Sequence, residues 1–214
     1  MIRSGTWWRP LATLLVAGAA LQPLAGCAPL VIGGAMVGSA LVAVDRRTTA
    51  AQLEDEAIEL KAANRVGELA TLAHVNATGY NRIVLLTGEA PTAADSARIE
   101  DAVRRIDNVR SVVNELAVMA PSSLGGRSND AVITGKVKAS FVDTRDLQAS
   151  AIKIVTERGI VYLMGLVTER EAQRAAQVAR AVPGVVKVVR VFELISEAEL
   201  QRLQPPPSPP STPQ

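Results

Sequence analysis

The chain has 214 residues with 23 basic and 21 acidic side chains, a formal net charge of +2, and only 3% aromatics. That near-neutral balance argues against a nucleic-acid partner. A single cysteine rules out an intrachain disulfide framework, and a single histidine rules out His-based dyads and multi-His metal centres.

Residues 1–26 read as a secretory signal. Arg3 and Arg9 form a basic n-region, and an apolar stretch from Leu11 to Leu24 leads to Leu24-Ala25-Gly26-Cys27. This ending resembles the lipobox of bacterial lipoproteins. The small residues Ala25 and Gly26 admit a peptidase, and the Cys27 thiol would accept the diacylglyceryl group. An Ala at position 28 implies, by the same resemblance, export to the outer membrane with the protein on its periplasmic face. Several acyl chains make such attachment durable where one does not. Removing the signal leaves 21 basic against 21 acidic residues.

Residues 27–50 are expected to be the acylated Cys and an apolar, Gly-rich tether. The uncharged run 28–44 is at the lower length limit for a membrane span, and Gly33, Gly34 and Gly38 weaken a helix there. Asp45-Arg46-Arg47 then marks the exit into the aqueous compartment.

The body of the chain is an internal repeat. Arg82–Pro91 aligns with Gly159–Thr168 at an offset of 77, matching Ile83 with Ile160, Val84 with Val161, Leu86 with Leu163 and Gly88 with Gly165. The first copy, residues 51–120, reads as helix Asp55–Leu69, strands Leu72–Thr78 and Arg82–Thr87, helix Thr92–Ile106 and strand Val109–Met119. A linker at 121–126 follows. In the second copy, residues 127–196, Asn129-Asp130 is expected to cap a helix running to Val142. Strands Ile152–Thr156 and Ile160–Met164 flank a turn, and Thr168-Glu169-Arg170-Glu171 has capping-box spacing. An Ala-rich helix stops at Pro183-Gly184, and Val185–Leu194 closes the copy. Gly88 and Gly165 are expected to end a strand at positive φ. Residues 197–214, rich in proline towards the end, read as a disordered tail.

The αββαβ repeat, with Gly88-Glu89-Ala90-Pro91 and Gly165-Leu166-Val167-Thr168 after the second strand, resembles the BON domain. Two copies behind a lipobox are similar to the dual-BON outer-membrane lipoproteins associated with cell division and envelope stress. The resemblance implies an α+β fold of two tandem BON domains, each a small three-stranded mixed sheet covered by two helices on one face. It also implies binding of anionic phospholipid by the first helix of the second copy, in support of outer-membrane integrity. The family places a tryptophan after the Asn-Asp pair, where this chain has Ala131.

Charge points the same way. Residues 51–120 carry 11 acids and 7 bases, whereas 127–200 carry 11 bases and 9 acids, so the second copy should face anionic lipid such as phosphatidylglycerol or cardiolipin. In its first helix Ile133, Val137 and Phe141 form the core stripe. Arg127, Ala131, Val132, Lys136, Lys138 and Ser140 are the candidate lipid contacts. No catalytic constellation, metal-ligand spacing or cofactor motif is expected, and His74 reads as a strand-edge residue. The alternative function is a protein-interaction scaffold, with the acidic copy or the sheet edges binding another envelope protein.

Overall fold

The computed structural model describes residues 45–69 and 73–203. The signal, Cys27, most of the tether, Leu72 and the proline-rich end lie outside the described residues. Within the described residues, five helices and two small mixed sheets make an α+β protein of two tandem repeats. Among these residues no helix is long and apolar enough to cross a membrane.

In the first repeat, helix α1 (Thr49–Leu69) precedes the antiparallel hairpin β1 (His74–Tyr80) and β2 (Ile83–Ala90). Helix α2 (Ala93–Arg104) then leads to β3 (Ser111–Asn114) and β4 (Ala117–Val118), both parallel to β2. In the second, α3 (Leu124–Val142) precedes the hairpin β5 (Ile152–Glu157) and β6 (Ile160–Val167). Helix α4 (Glu169–Arg180) leads to β7 (Lys187–Leu194), parallel to β6. The closing strand of the first repeat is thus broken at Glu115-Leu116, whereas that of the second is continuous.

Both hairpins turn through two residues at positive φ, Asn81-Arg82 and Arg158-Gly159, the twist that matches antiparallel strands. Each turn is held by an aspartate from the first helix of its repeat. Asp55 accepts from the backbone N–H groups of Asn81 and Arg82 at 2.7 Å. Asp130 accepts from those of Arg158 and Gly159 at 2.8 Å. Asp130 is therefore not a helix cap, as the Asn129-Asp130 pair suggested. Ser123 caps α3 instead, its Oγ accepting from the Gly126 N–H at 3.1 Å, so the helix begins inside the expected linker.

The glycines also differ from expectation. Neither Gly88 nor Gly165 ends its strand, because β2 and β6 each run two residues further. Gly88 does have positive φ, +109°, and a Cβ there would sit 2.0 Å from the His74 carbonyl oxygen. Gly165 lies in ordinary strand conformation, and its constraint is proximity: a Cβ would meet the Ala151 carbonyl oxygen at 2.5 Å.

Side chains alternate along the central strands. Val84 and Leu86 pack with Ile58, Ala62, Ile99 and Val103 from the helices of the first repeat. Val161, Leu163 and Val167 pack with Ile133, Val137, Phe141 and the Ala-rich α4. The opposite faces meet each other: Tyr80 and Leu85 of one sheet share a third core with Tyr162, Met164 and Leu166 of the other. Polar links border it, including Lys153 Nζ to Glu59 at 2.6 Å and Asn81 Nδ2 to Glu193 at 2.8 Å.

The segment before α1 is packed into the fold. Arg46 is buried and donates to Glu171 and to the Leu166 carbonyl in the second repeat. Arg47 pairs with Asp45 and Asp55 and lies 4.1 Å above the Tyr80 ring. At the other end, Glu197–Leu203 forms α5 rather than disordered tail. Ser196 caps it reciprocally with Glu199, and Leu200 is buried.

Candidate functional site

Helix α3 is built to bury one stripe and leave the rest uncovered. Asp130, Ile133, Val137 and Phe141 face inward, at the three- and four-residue spacing of one helical face. Thr134 Oγ1 donates to the Asp130 carbonyl and joins Thr156 at 2.7 Å, tying the helix to β5.

On the outer side, Leu124, Val132 and Val142 are exposed at 79, 54 and 69% of their surface. At 3.6 residues per turn Leu124 and Val142 lie on the same line of the helix, with Val132 to one side. Ala131, Gly135 and Ala139 between them are exposed and small. Lys136 and Lys138 flank this strip on opposite sides and are both exposed. An open groove of about 610 Å³ continues from it between α3 and α4, past Lys136, Ser140, Arg174 and Pro183.

The six residues singled out by sequence therefore separate. Ala131, Val132, Lys136 and Lys138 are exposed on the outer side, and half-buried Ser140 lines the groove. Arg127 is half-buried, and its guanidinium donates to the Ser122 carbonyl and Oγ at 3.1 and 3.3 Å, so two of its donors are engaged within the protein. Other cations of the second repeat are held by the first. Lys153 binds Glu59, and Arg158 binds Glu89 at 2.8 Å. Burial would raise the Glu89 carboxyl, but the Ser122 N–H and Arg158 outweigh it and keep it lowered. The separate charge sums of the two copies thus overstate the contrast between their surfaces.

Sequence reasoning misses Leu124 because α3 is expected to start only after Asn129-Asp130, whereas Val142 lies at the end of the expected helix and only its exposure in the fold brings it into this strip. The Ser123-x-x-Gly126 start is the available signal, obscured by two glycines that disfavour a helix. Aromatic anchors are lacking on this face: Tyr80, Tyr162 and Phe141 are buried.

Comparison with protein families matches the BON domain at residues 54–120 and 129–195. The chain belongs to the BON domain family. The chain is similar to several curated proteins. The outer membrane lipoprotein DolP of Haemophilus influenzae is 38% identical over 190 residues, covering 87% of this chain and 97% of that one. A 21 kDa hemolysin of Actinobacillus pleuropneumoniae is 33% identical, covering 71% and 80%. Osmotically-inducible protein Y of Escherichia coli is 35% identical over a stretch covering 31% of this chain and 34% of its own. The similarity to DolP places this BON protein among envelope-associated proteins.

Proposed function

We propose that this BON protein is a non-catalytic lipoprotein of the outer membrane, acylated at Cys27 on the periplasmic side. Its second repeat binds anionic phospholipid such as phosphatidylglycerol or cardiolipin and so supports envelope integrity. The observation that carries the reading is the uncovered outer side of α3, where exposed Leu124, Val132 and Val142 stand between Lys136 and Lys138.

Apolar and basic groups side by side suit a headgroup boundary. Each lysine contributes about 1 kcal/mol near an anionic surface, and burying apolar side chains adds roughly 25 cal/mol per Å². Ser140 and the adjoining groove offer hydrogen-bonding room for a headgroup. Without an exposed aromatic on this face among the described residues, attraction rests mainly on charge. The lipobox and the name of the H. influenzae relative support the membrane placement.

The test is co-sedimentation of the full chain with vesicles of pure phosphatidylcholine and with vesicles containing phosphatidylglycerol. An isolated second repeat would expose Tyr162, Met164 and Leu166 and could stick to lipid through its bared sheet. Binding that needs the anionic lipid supports the proposal. Equal, weak binding to both would favour the scaffold reading, with an envelope protein as partner.

A further inference from the structure

His74 is the only histidine of the chain and opens β1. Its partner across the hairpin is Glu89, and the packing of the two sheets brings Glu157, the last residue of β5, beside both. One ligand atom from each of the three lies within 4.8 Å of the others. His74 Nε2 is 4.0 Å from Glu157 Oε2. Both carboxylates are buried, Glu89 at 0% and Glu157 at 4% exposure.

Glu157 is the informative member. Its Oε2 accepts from Asn76 Nδ2 at 3.3 Å, but its Oε1 is buried with no hydrogen-bond partner among the described residues. A buried carboxylate oxygen left unsatisfied is costly, and native structures rarely tolerate one without an ion, water or proton. The carboxylates of Glu89 and Asp130 add negative charge close by. Arg158 is the nearby cation, and it offsets that charge only in part. Arg158 is bound to Glu89, and Arg127 is turned to Ser122.

We propose that His74, Glu89 and Glu157 form a zinc-type divalent transition-metal site that bridges the two repeats. One imidazole nitrogen with carboxylate oxygens suits zinc better than calcium or magnesium, which prefer all-oxygen shells. A neutral imidazole presents one nitrogen with a lone pair to a metal ion. Glu89 can ligate without losing its bonds to Arg158 and the Ser122 N–H, because each carboxylate oxygen has a second lone pair. Asn76 Nδ2, 3.4 Å from His74 Nε2, holds imidazole and carboxylate facing one another and would yield to the ion. Metal–ligand distances of about 2.0–2.2 Å require the donors to draw together by small side-chain rotations. A cleft of about 250 Å³ reaches His74 and Glu157 from solvent beside Thr156, giving an entry path and room for water ligands. The site would fasten the first repeat to the second and is independent of the lipid face.

The test is calorimetric titration of the untagged, EDTA-stripped full chain with zinc chloride, alongside cobalt(II) absorption and thermal melting. One zinc per chain, a raised Tm at saturation and no response to magnesium are expected. His74→Ala should lower affinity by more than the roughly 10–100-fold that loss of an outer partner costs and abolish the cobalt bands. Glu157→Gln should lose zinc binding while melting, metal-free, no lower than the metal-free wild type, because a neutral amide relieves the buried charge. No zinc uptake by the wild type, or uptake unchanged in both variants, overturns the proposal.

Discussion

Arg46 and Glu171, 125 positions apart, meet as a buried bidentate pair at 2.6 and 2.9 Å. One precedes the first helix of the first repeat and the other lies in the first turn of α4 of the second. Glu171 also closes the capping box with Thr168, so a single carboxylate fastens the chain's lead-in and fixes a helix start. Removing one partner strands a buried charge, and Arg46→Ala is expected to cost about 3 kcal/mol, read from the denaturant midpoint.

The same pair predicts acid sensitivity. Burial alone would raise the Glu171 carboxyl, but Arg46 and the Thr168 N–H outweigh it and hold it below 4.5. The unfolded chain therefore binds the proton more readily. The contribution is full above about pH 4.5 and is lost as pH falls through the lowered folded value. Glu171→Gln should be less stable at pH 7, with a shallower decline in this window. Identical pH profiles would contradict the assignment.

Three glycines separate strain from space. Gly88→Ala should be the most damaging, since both its positive φ and the His74 carbonyl forbid a Cβ. Gly165→Ala should cost more than about 1 kcal/mol through the clash with Ala151 alone. Gly135, in the middle of α3 with nothing within 4 Å, should tolerate alanine with a gain of up to about 1 kcal/mol in melting experiments.

Asp55 and Asp130 do the same job in the two repeats. Alanine at either leaves two backbone N–H groups of a hairpin turn without acceptors, at about 2–3 kcal/mol. Asparagine should cost less, because one acceptor oxygen survives. Amide exchange should speed up at Asn81 and Arg82 in one variant and at Arg158 and Gly159 in the other.

Cys27→Ser is expected to abolish incorporation of a tagged fatty acid and to leave an unprocessed precursor or a soluble form. Label retained by the variant would refute acylation at Cys27.

Much of each repeat is legible locally. The Ile133–Val137–Phe141 stripe and the Thr168–Glu171 capping box need only neighbours within one element, and the structure contains both. What escapes depends on partners distant in sequence. The runs Ile83–Leu86 and Ile160–Met164 are apolar on both faces, the pattern of a strand buried on both sides, yet two helices on one face cover only half of that surface. Without the second interface, Arg46, Glu89 and Glu157 have no visible partners. Asp130 misleads because an Asn-Asp pair satisfies the local rule for a cap while its carboxylate serves a turn 28 residues on. A helical wheel is enough to place Lys136 and Lys138 outside the core stripe, but it cannot show that the Arg127 guanidinium turns back to Ser122.

The most direct measurement is vesicle binding by the full chain carrying Lys136→Glu and Lys138→Glu, across a salt series and beside Ala131→Trp. Both lysines are exposed and outside the buried stripe of α3, so melting should be nearly unchanged. At about 1 kcal/mol per basic residue, the double reversal should lower partitioning onto phosphatidylglycerol vesicles by more than roughly tenfold. Wild-type binding should fall as salt shortens the Debye length from about 10 Å at 0.1 M, and Ala131→Trp should strengthen it through an interfacial aromatic. Binding indifferent to the charge reversal and to salt would contradict the claim that the outer side of α3 engages anionic lipid.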